Sequence, residues 1–224
     1  MSNLIVVTFP ASSTTAIAPL QTLAAAGNLA LNSALINTGV GSPNISFPNI
    51  ERTISLTSAN NLSAINFTVN GFDYNGVAAT QTIAGPNANT VYTTTQFNTV
   101  TSISAPAAVA AVSAGTGTAA SSPWIVLDGL RGFFQASLQC VVTGTVTYDV
   151  DQTLDAPETY AINTSNGATN IINTPTPFNV DASLTAATTN QFFYLTSPVT
   201  ALKVSTELGS TGSLTFTILQ QGVI

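Results

Sequence analysis

Four carboxylates, Asp149, Asp151, Asp155 and Glu158, fall within ten residues and are the one place in this sequence where side chains of matching chemistry concentrate. Grouped carboxylates suit two kinds of chemistry. Calcium takes about six to eight oxygen ligands, and a carboxylate pair flanking a glycosidic bond hydrolyses it by acid–base catalysis. The spacing is not that of an EF-hand, and the glycine such a loop requires is missing. In an extended strand Asp149 and Asp151 project from the same, solvent-facing side. The four acids therefore also read as a wet face leading into a loop, and calcium stays open beside that reading. Aromatic and polar groups that would grip a sugar are thin around them.

Composition removes most other chemistry. The chain has 224 residues, with three basic and nine acidic side chains and no histidine. A Ser-His-Asp or Cys-His arrangement is impossible without histidine, and so are zinc sites built on histidine or on several cysteines. Gly115-Thr116-Gly117 lacks the rest of a dinucleotide fingerprint and reads as a loop. No catalytic, cofactor-binding or metal-binding residue is assigned, no cofactor is expected, and the chain is not read as an enzyme. Cys140, the single cysteine, sits in a strand-like context and is expected to be a small buried hydrophobe. Arg52, Arg131 and Lys203 are the only cations; each arginine is expected to pair with a carboxylate or a cluster of carbonyls. A net charge of −6 with no basic cluster argues against nucleic acid, whose phosphates need neutralising. The N-terminus lacks the basic stretch of a secretory signal. The apolar region from Ile17 to Ile36 is broken by Pro19, Gln21, Gly27, Asn28 and Asn32, so no membrane span is expected.

The elements carrying these residues show a two-residue period. Ile54 and Leu56 share one face of Thr53–Thr57, and Phe67 and Val69 share one face of Ile65–Val69. Gln81–Ile83, Phe97–Ile103 and a long run from Ser137 to Val150, broken at Gly144, continue the pattern. Pro198–Thr206 and Ser213–Leu219 read as a hairpin-like pair around a turn at Glu207–Gly212. Strands at this spacing with Gly, Pro and Asn breaks predict an all-β fold: an antiparallel β-sandwich, jelly-roll or Ig-like. The expected organisation is two packed β-domains, residues 48–122 and 123–224, behind an extended N-terminal arm, residues 1–47. The Ala/Ser/Gly/Thr-rich stretch 105–122 reads either as a flexible connection or as a weak strand. Trp124, Phe133, Phe134, Phe192, Phe193 and Tyr194 could suggest a carbohydrate platform. Adjacent aromatics on a strand face opposite sides, however, so these are expected to be core residues or interface anchors.

A folded domain ordinarily has about a quarter of its residues charged; here the figure is 5 %. Sheet edges are usually protected by lysine, proline or bulges, and a single lysine cannot do that. Either the Pro and Gly breaks protect the edges, or the edges are paired or covered in an assembly, and the second is the expectation. The run from Arg52-Thr53-Ile54-Ser55-Leu56 through Asn66-Phe67-Thr68-Val69-Asn70-Gly71 resembles virion structural proteins of tailed bacteriophages. So do Thr82–Asn87, Phe97–Ile103, Val142–Tyr148, Pro198–Leu202 and Gly212–Thr215. One departure is Lys203-Val204, where the pattern would carry an arginine. The resemblance implies a β-rich, non-enzymatic component of the virion. Its first form is a capsid decoration (cement) protein on the head exterior, partnered by the major capsid protein and by copies of itself in a trimer or other small oligomer. Its rival is a neck, tail or fibre-associated protein that binds a host surface glycan. A bacterial surface or pilus subunit is less favoured, for want of a signal sequence.

Overall fold

The structure is a computed structural model and describes residues 3–32, 36–37, 44–47, 49–127, 135–155, 175–195 and 197–220. Among these the fold is all-β, with eighteen strands in antiparallel sheets and one 3-10 turn at Ala182–Leu184. No helix among the described residues is long and apolar enough to cross a membrane. The chain divides into two compact units, one built from Met1–Pro10 with Ser122–Ile224 and the other from Ala11–Ser121. The second is thus inserted into the sequence of the first.

β1 (Asn3–Phe9) opens the split unit. The inserted unit holds β2 (Ser13–Leu23), β3 (Gly27–Asn28), β4 (Ile36–Asn37), β5 (Asn44–Ser46), β6 (Glu51–Ser58), β7 (Asn66–Phe72), β8 (Ala78–Ala84), β9 (Thr90–Tyr92), β10 (Thr99–Ala105) and β11 (Val109–Ser121). The split unit resumes with β12 (Ile125–Val126), β13 (Ala136–Thr143), β14 (Tyr148–Thr153), β15 (Phe178–Asn179), β16 (Gln191–Leu195), β17 (Ala201–Thr206) and β18 (Ser213–Gln220).

In the split unit one sheet runs β1-β18-β13-β16. A second layer places β14 between β15 and β17, with β12 on the far side of β17. Two arches join the layers. The chain leaves β13 at Gly144, where φ is +82°, and enters β14; it leaves β17 through Gly209, where φ is +95°, and enters β18. Both glycines occupy the left-handed region that side chains disfavour. The corners stack: Thr211 and Gly212 both donate backbone N–H groups to the Thr145 carbonyl, at 2.8 and 2.9 Å, and Glu207 N–H donates to Thr147 O at 3.0 Å. A Cβ on Gly212 would stand 2.1 Å from the Thr143 carbonyl oxygen, so only glycine fits.

The expected hairpin of the last two strands is therefore not formed. β17 pairs with β14, and β18 pairs with β13 and β1. The run from Ser137 to Val150 is likewise two strands in two sheets. The physical reason is burial. Leu138 and Cys140 on β13, and Phe216 and Ile218 on β18, need a second apolar layer above them. The arch swings Tyr148, Val150 and Val204 over to provide it, whereas a hairpin would leave all these residues on one uncovered sheet face.

Most of the described residues expected to form an arm are instead strands integrated into sheets. β1 pairs with β18 along all seven of its residues, from Asn3↔Gln220 to Phe9↔Leu214, and buries Val7 and Phe9. β2 pairs with β11 and buries Ile17 and Ala18 completely. The stretch read as either connection or weak strand contains β11, the longest strand described at 13 residues. Its small residues permit close approach: a Cβ on Gly115 would fall 1.8 Å from the Ser13 carbonyl oxygen, and one on Gly117 would fall 2.1 Å from Thr53 Oγ1. In the inserted unit β10 pairs with β3, β5 and β7, while β6 lies between β11 and β9. The alternation that placed Ile54, Leu56, Phe67 and Val69 inward is present, and all four are fully buried.

Truncating residues 1–20 is expected to unfold the protein rather than release an arm. Phe9→Ala should cost about 3–5 kcal/mol, and the neighbouring, outward-facing Thr8→Ala about 0.5 kcal/mol or less, both read by urea denaturation. Equal, small losses at the two positions would contradict the placement of β1.

Candidate interaction surface

The acidic group comes apart in the fold. On β14, Tyr148 and Val150 point into the core while Asp149 and Asp151 share the outer face. Asp149 Oδ1 accepts the Ala186 N–H at 2.7 Å, anchoring a loop in which Ala186 itself is left-handed, with φ +47°. Asp155 Oδ2 accepts the Thr176 N–H at 2.7 Å. Asp151 stands opposite Lys203 in the β14–β17 register. Burial, and then the neighbouring Asp149, hold its carboxyl above the ordinary carboxylate value, while Lys203 pulls it back. Glu158 lies outside the described residues, as do Arg131, Phe133 and Phe134. Among the described residues no group of three or more acidic, histidine or cysteine side chains is arranged to hold a metal ion. The described acids thus have local work, two as loop acceptors and one opposite a cation.

Arg52 is an internal group. It is buried, its Nη2 donates to the Gly117 carbonyl at 2.9 Å, and its Nε has no hydrogen-bond partner. Burial lowers its pKa to about 10, which leaves it charged at neutral pH. The acceptor lies in a bulge of β11, where Thr116 pairs with Ile54 and the next pair is Ala120 with Arg52. Thr53 Oγ1 donates to Ala119 O at 3.1 Å within the same bulge. Arg52 therefore secures an irregular strand, and its partner is a carbonyl rather than a carboxylate. Cys140 is buried against Tyr148, and burial pushes its thiol up to about 11 although the Tyr148 hydrogen bond opposes this. Tyr148 in turn donates its hydroxyl to the Thr189 carbonyl at 2.9 Å.

What remains is a surface. The four strands β1, β18, β13 and β16 contain no charged residue. Their inner face is core: Phe9, Leu138, Cys140, Leu214, Phe216 and Ile218 are all buried. Their outer face follows from the register. One row across the sheet is Leu4, Leu219, Ser137 and Tyr194, and the next is Val6, Thr217, Gln139 and Phe192. A third row begins Thr8, Thr215 and Val141. Leu4 is 62 % exposed, Tyr194 64 % and Phe192 55 %, and Val6, Leu219 and Val141 are exposed too. The Phe192 and Tyr194 rings meet edge to face with centroids 4.7 Å apart. Large apolar side chains thus occupy both flanks of the sheet, and between them the central strands present Ser, Thr and Gln together with the exposed Leu219 and Val141. The outer face of the β14–β17 layer, by contrast, carries Asp149, Asp151 and Lys203.

Sequence reasoning singled out Phe192, Phe193 and Tyr194, and the structure puts Phe192 and Tyr194 outward with Phe193 half-buried between them. Trp124 is half-buried and outside this face. Leu4, Val6, Val141 and Leu219 were not singled out. The available signal was the composition of Asn3–Phe9, which is apolar on both faces. That pattern belongs to strands covered on both sides, yet β1 stands at the end of its sheet with one face in water.

Two outcomes follow from the buried and titrating groups. Cys140 should resist alkylation at pH 8 in the native protein and react on unfolding, followed by mass spectrometry; rapid native labelling would contradict its burial. The raised folded-state pKa of Asp151 means that stability is lost as pH rises from the unfolded value of 3.8 through the folded one. Asp151→Asn should therefore raise the melting temperature modestly at neutral pH, with the gain fading below about pH 4; no gain, or a gain only in acid, would contradict the sign.

No protein-family model matches the chain, and neither a curated protein nor a solved structure is significantly similar to it.

Proposed function

We propose that this chain is a non-enzymatic structural protein of a tailed-bacteriophage virion. The favoured form is a capsid decoration protein that binds across major capsid subunits and alongside copies of itself. The observation that carries the reading is the outer face of the β1-β18-β13-β16 sheet, free of charge and flanked by exposed Leu4, Val6, Phe192 and Tyr194. Exposed apolar side chains gathered on one uncharged sheet face suit an interaction site, because the largest apolar patch of a protein surface is often functional. The strand motifs that resemble phage virion proteins add the class of assembly. Mechanically, such a protein bridges neighbouring shell subunits and stabilises the expanded head by repeated burial of apolar and threonine surface. Because the contact lacks charge, occupancy on the particle is weakly sensitive to salt.

A neck, tail or fibre position that binds a host glycan is the rival. The perpendicular packing of Phe192 on Tyr194 gives no flat two-ring shelf for a sugar, which favours the head. Purified virions examined by quantitative mass spectrometry and immunogold microscopy test the reading. Many copies per particle with label over the head are expected. Label confined to the tail supports the rival, and absence from particles overturns the proposal.

A further inference from the structure

The bare sheet face has a two-fold logic built into its rows, and from this we infer that it is the contact between two copies of the chain, packed face to face about a two-fold axis parallel to the strands. The inference deepens the assembly reading above by naming the surface and its occupant, but it rests on the face itself and not on a virion.

Leu4 and Tyr194 occupy opposite ends of one row across the sheet, and Val6 and Phe192 opposite ends of the next. A two-fold axis running along the strands between β18 and β13 carries β1 of one copy over β16 of the other while keeping each row at its own height. Leu4 then lies over Tyr194 of the other copy, and Val6 over its Phe192, each pair occurring twice. Between them Leu219 meets Ser137, and Thr217 meets Gln139. The aliphatic flank of each copy covers the aromatic flank of its mate, which is the self-complementarity an isologous contact requires. An axis perpendicular to the strands would instead set Leu4 against Thr8 and the aromatics against the far end of their own strand, and it lacks this match.

Charge selects the same occupant. A face with no ionic group presents no like-charge repulsion to its own copy, which would defeat self-association of a charged face. The outer face of the β14–β17 layer, with Asp149 and Asp151 together, would repel its copy. The dimensions suit a modest contact. Four strands about 4.8 Å apart and seven residues at about 3.4 Å each give a footprint on the order of 400 Å² per copy. Two copies bury roughly 800–1,000 Å² in total, the range of weak, reversible interfaces. Two packed sheets lie about 10 Å apart with strands within about 30° of parallel, so the row matching survives sheet twist at the centre of the face.

The test is sedimentation velocity on the full chain from about 10 µM to about 1 mM, the span in which a small interface of this kind associates. Wild type is expected to shift from monomer to dimer with concentration, with little effect of salt. Leu4→Lys and Tyr194→Glu should each weaken dimerisation at least about tenfold, without a change in melting temperature, because both side chains point to water. The joint variant L4K/Y194E should recover dimerisation, now salt-dependent, because each new cation faces a new anion across the axis. A wild type that stays monomeric at 1 mM overturns the inference, as does a joint variant that stays monomeric. If monomeric wild type binds virions and Tyr194→Glu abolishes that binding, the face belongs to the shell protein and the inference also falls, while the virion reading stands. A dimer that obeys the rescue but is absent from virions has the opposite result.

Discussion

Strand β18 is the constraint on which the split unit depends. It is paired along its full eight residues with β13 and along seven with β1, so it ties the first residues of the sequence to the last. Because side chains alternate along a strand, this register decides the identity of both sheet faces together. Leu214, Phe216 and Ile218 fall inward, and Thr215, Thr217 and Leu219 outward. A slip of one residue would expose the three largest core groups of the strand and bury its threonines. The stacked glycine corners prevent such a slip. Gly212 sits against Thr143 and Gly144, so the start of β18 is fixed relative to the end of β13.

Much of this fold is legible in the sequence, and the unread parts share one cause. Alternation within a strand is local, and it reveals Ile54 and Leu56, Phe67 and Val69, and Leu214, Phe216 and Ile218 as inward residues. Partnership between strands is not local. Glu207–Gly212 announces a turn, but no residue in it says whether the flanking strands pair with each other or part into separate sheets. That outcome depends on Thr145 and Thr147, some sixty residues earlier. β1 reads as an arm because its partner lies more than 200 residues away. β11 is ambiguous for another reason. Alanine, glycine and serine look like a linker, yet here small side chains let β2 and β6 approach closely on either side, with Gly115 against Ser13 and Gly117 against Thr53. Of the candidate site, the outward aromatics of β16 are legible from their alternation, whereas the aliphatic half of the face, on β1, is hidden by the same non-local pairing.

The few charges have positions that explain their scarcity elsewhere. Arg52 is spent on a bulge carbonyl inside the inserted unit. Asp149 and Asp155 hold loop backbone, and Asp151 stands opposite Lys203. None of these groups lies on the β1-β18-β13-β16 sheet. Removing charge from a whole sheet face forfeits the device by which soluble sheets stay apart. Thr8, Thr215, Thr217 and Gln139 partly compensate, since they interrupt the apolar surface between the flanks, although Leu219 and Val141 remain exposed on the central strands.

That division sets the strength of any contact the face makes. Burial of the two apolar flanks in a pair contributes on the order of 10 kcal/mol at about 25 cal/mol per Å². The loss of rigid-body freedom on association costs a comparable amount, about 4–15 kcal/mol. A single contact is therefore marginal. A closed two-fold contact uses the face once, so any further hold on a larger body would come from other surfaces of the pair. An uncharged face whose largest apolar groups stand at its flanks therefore gives a reversible contact rather than a permanent one.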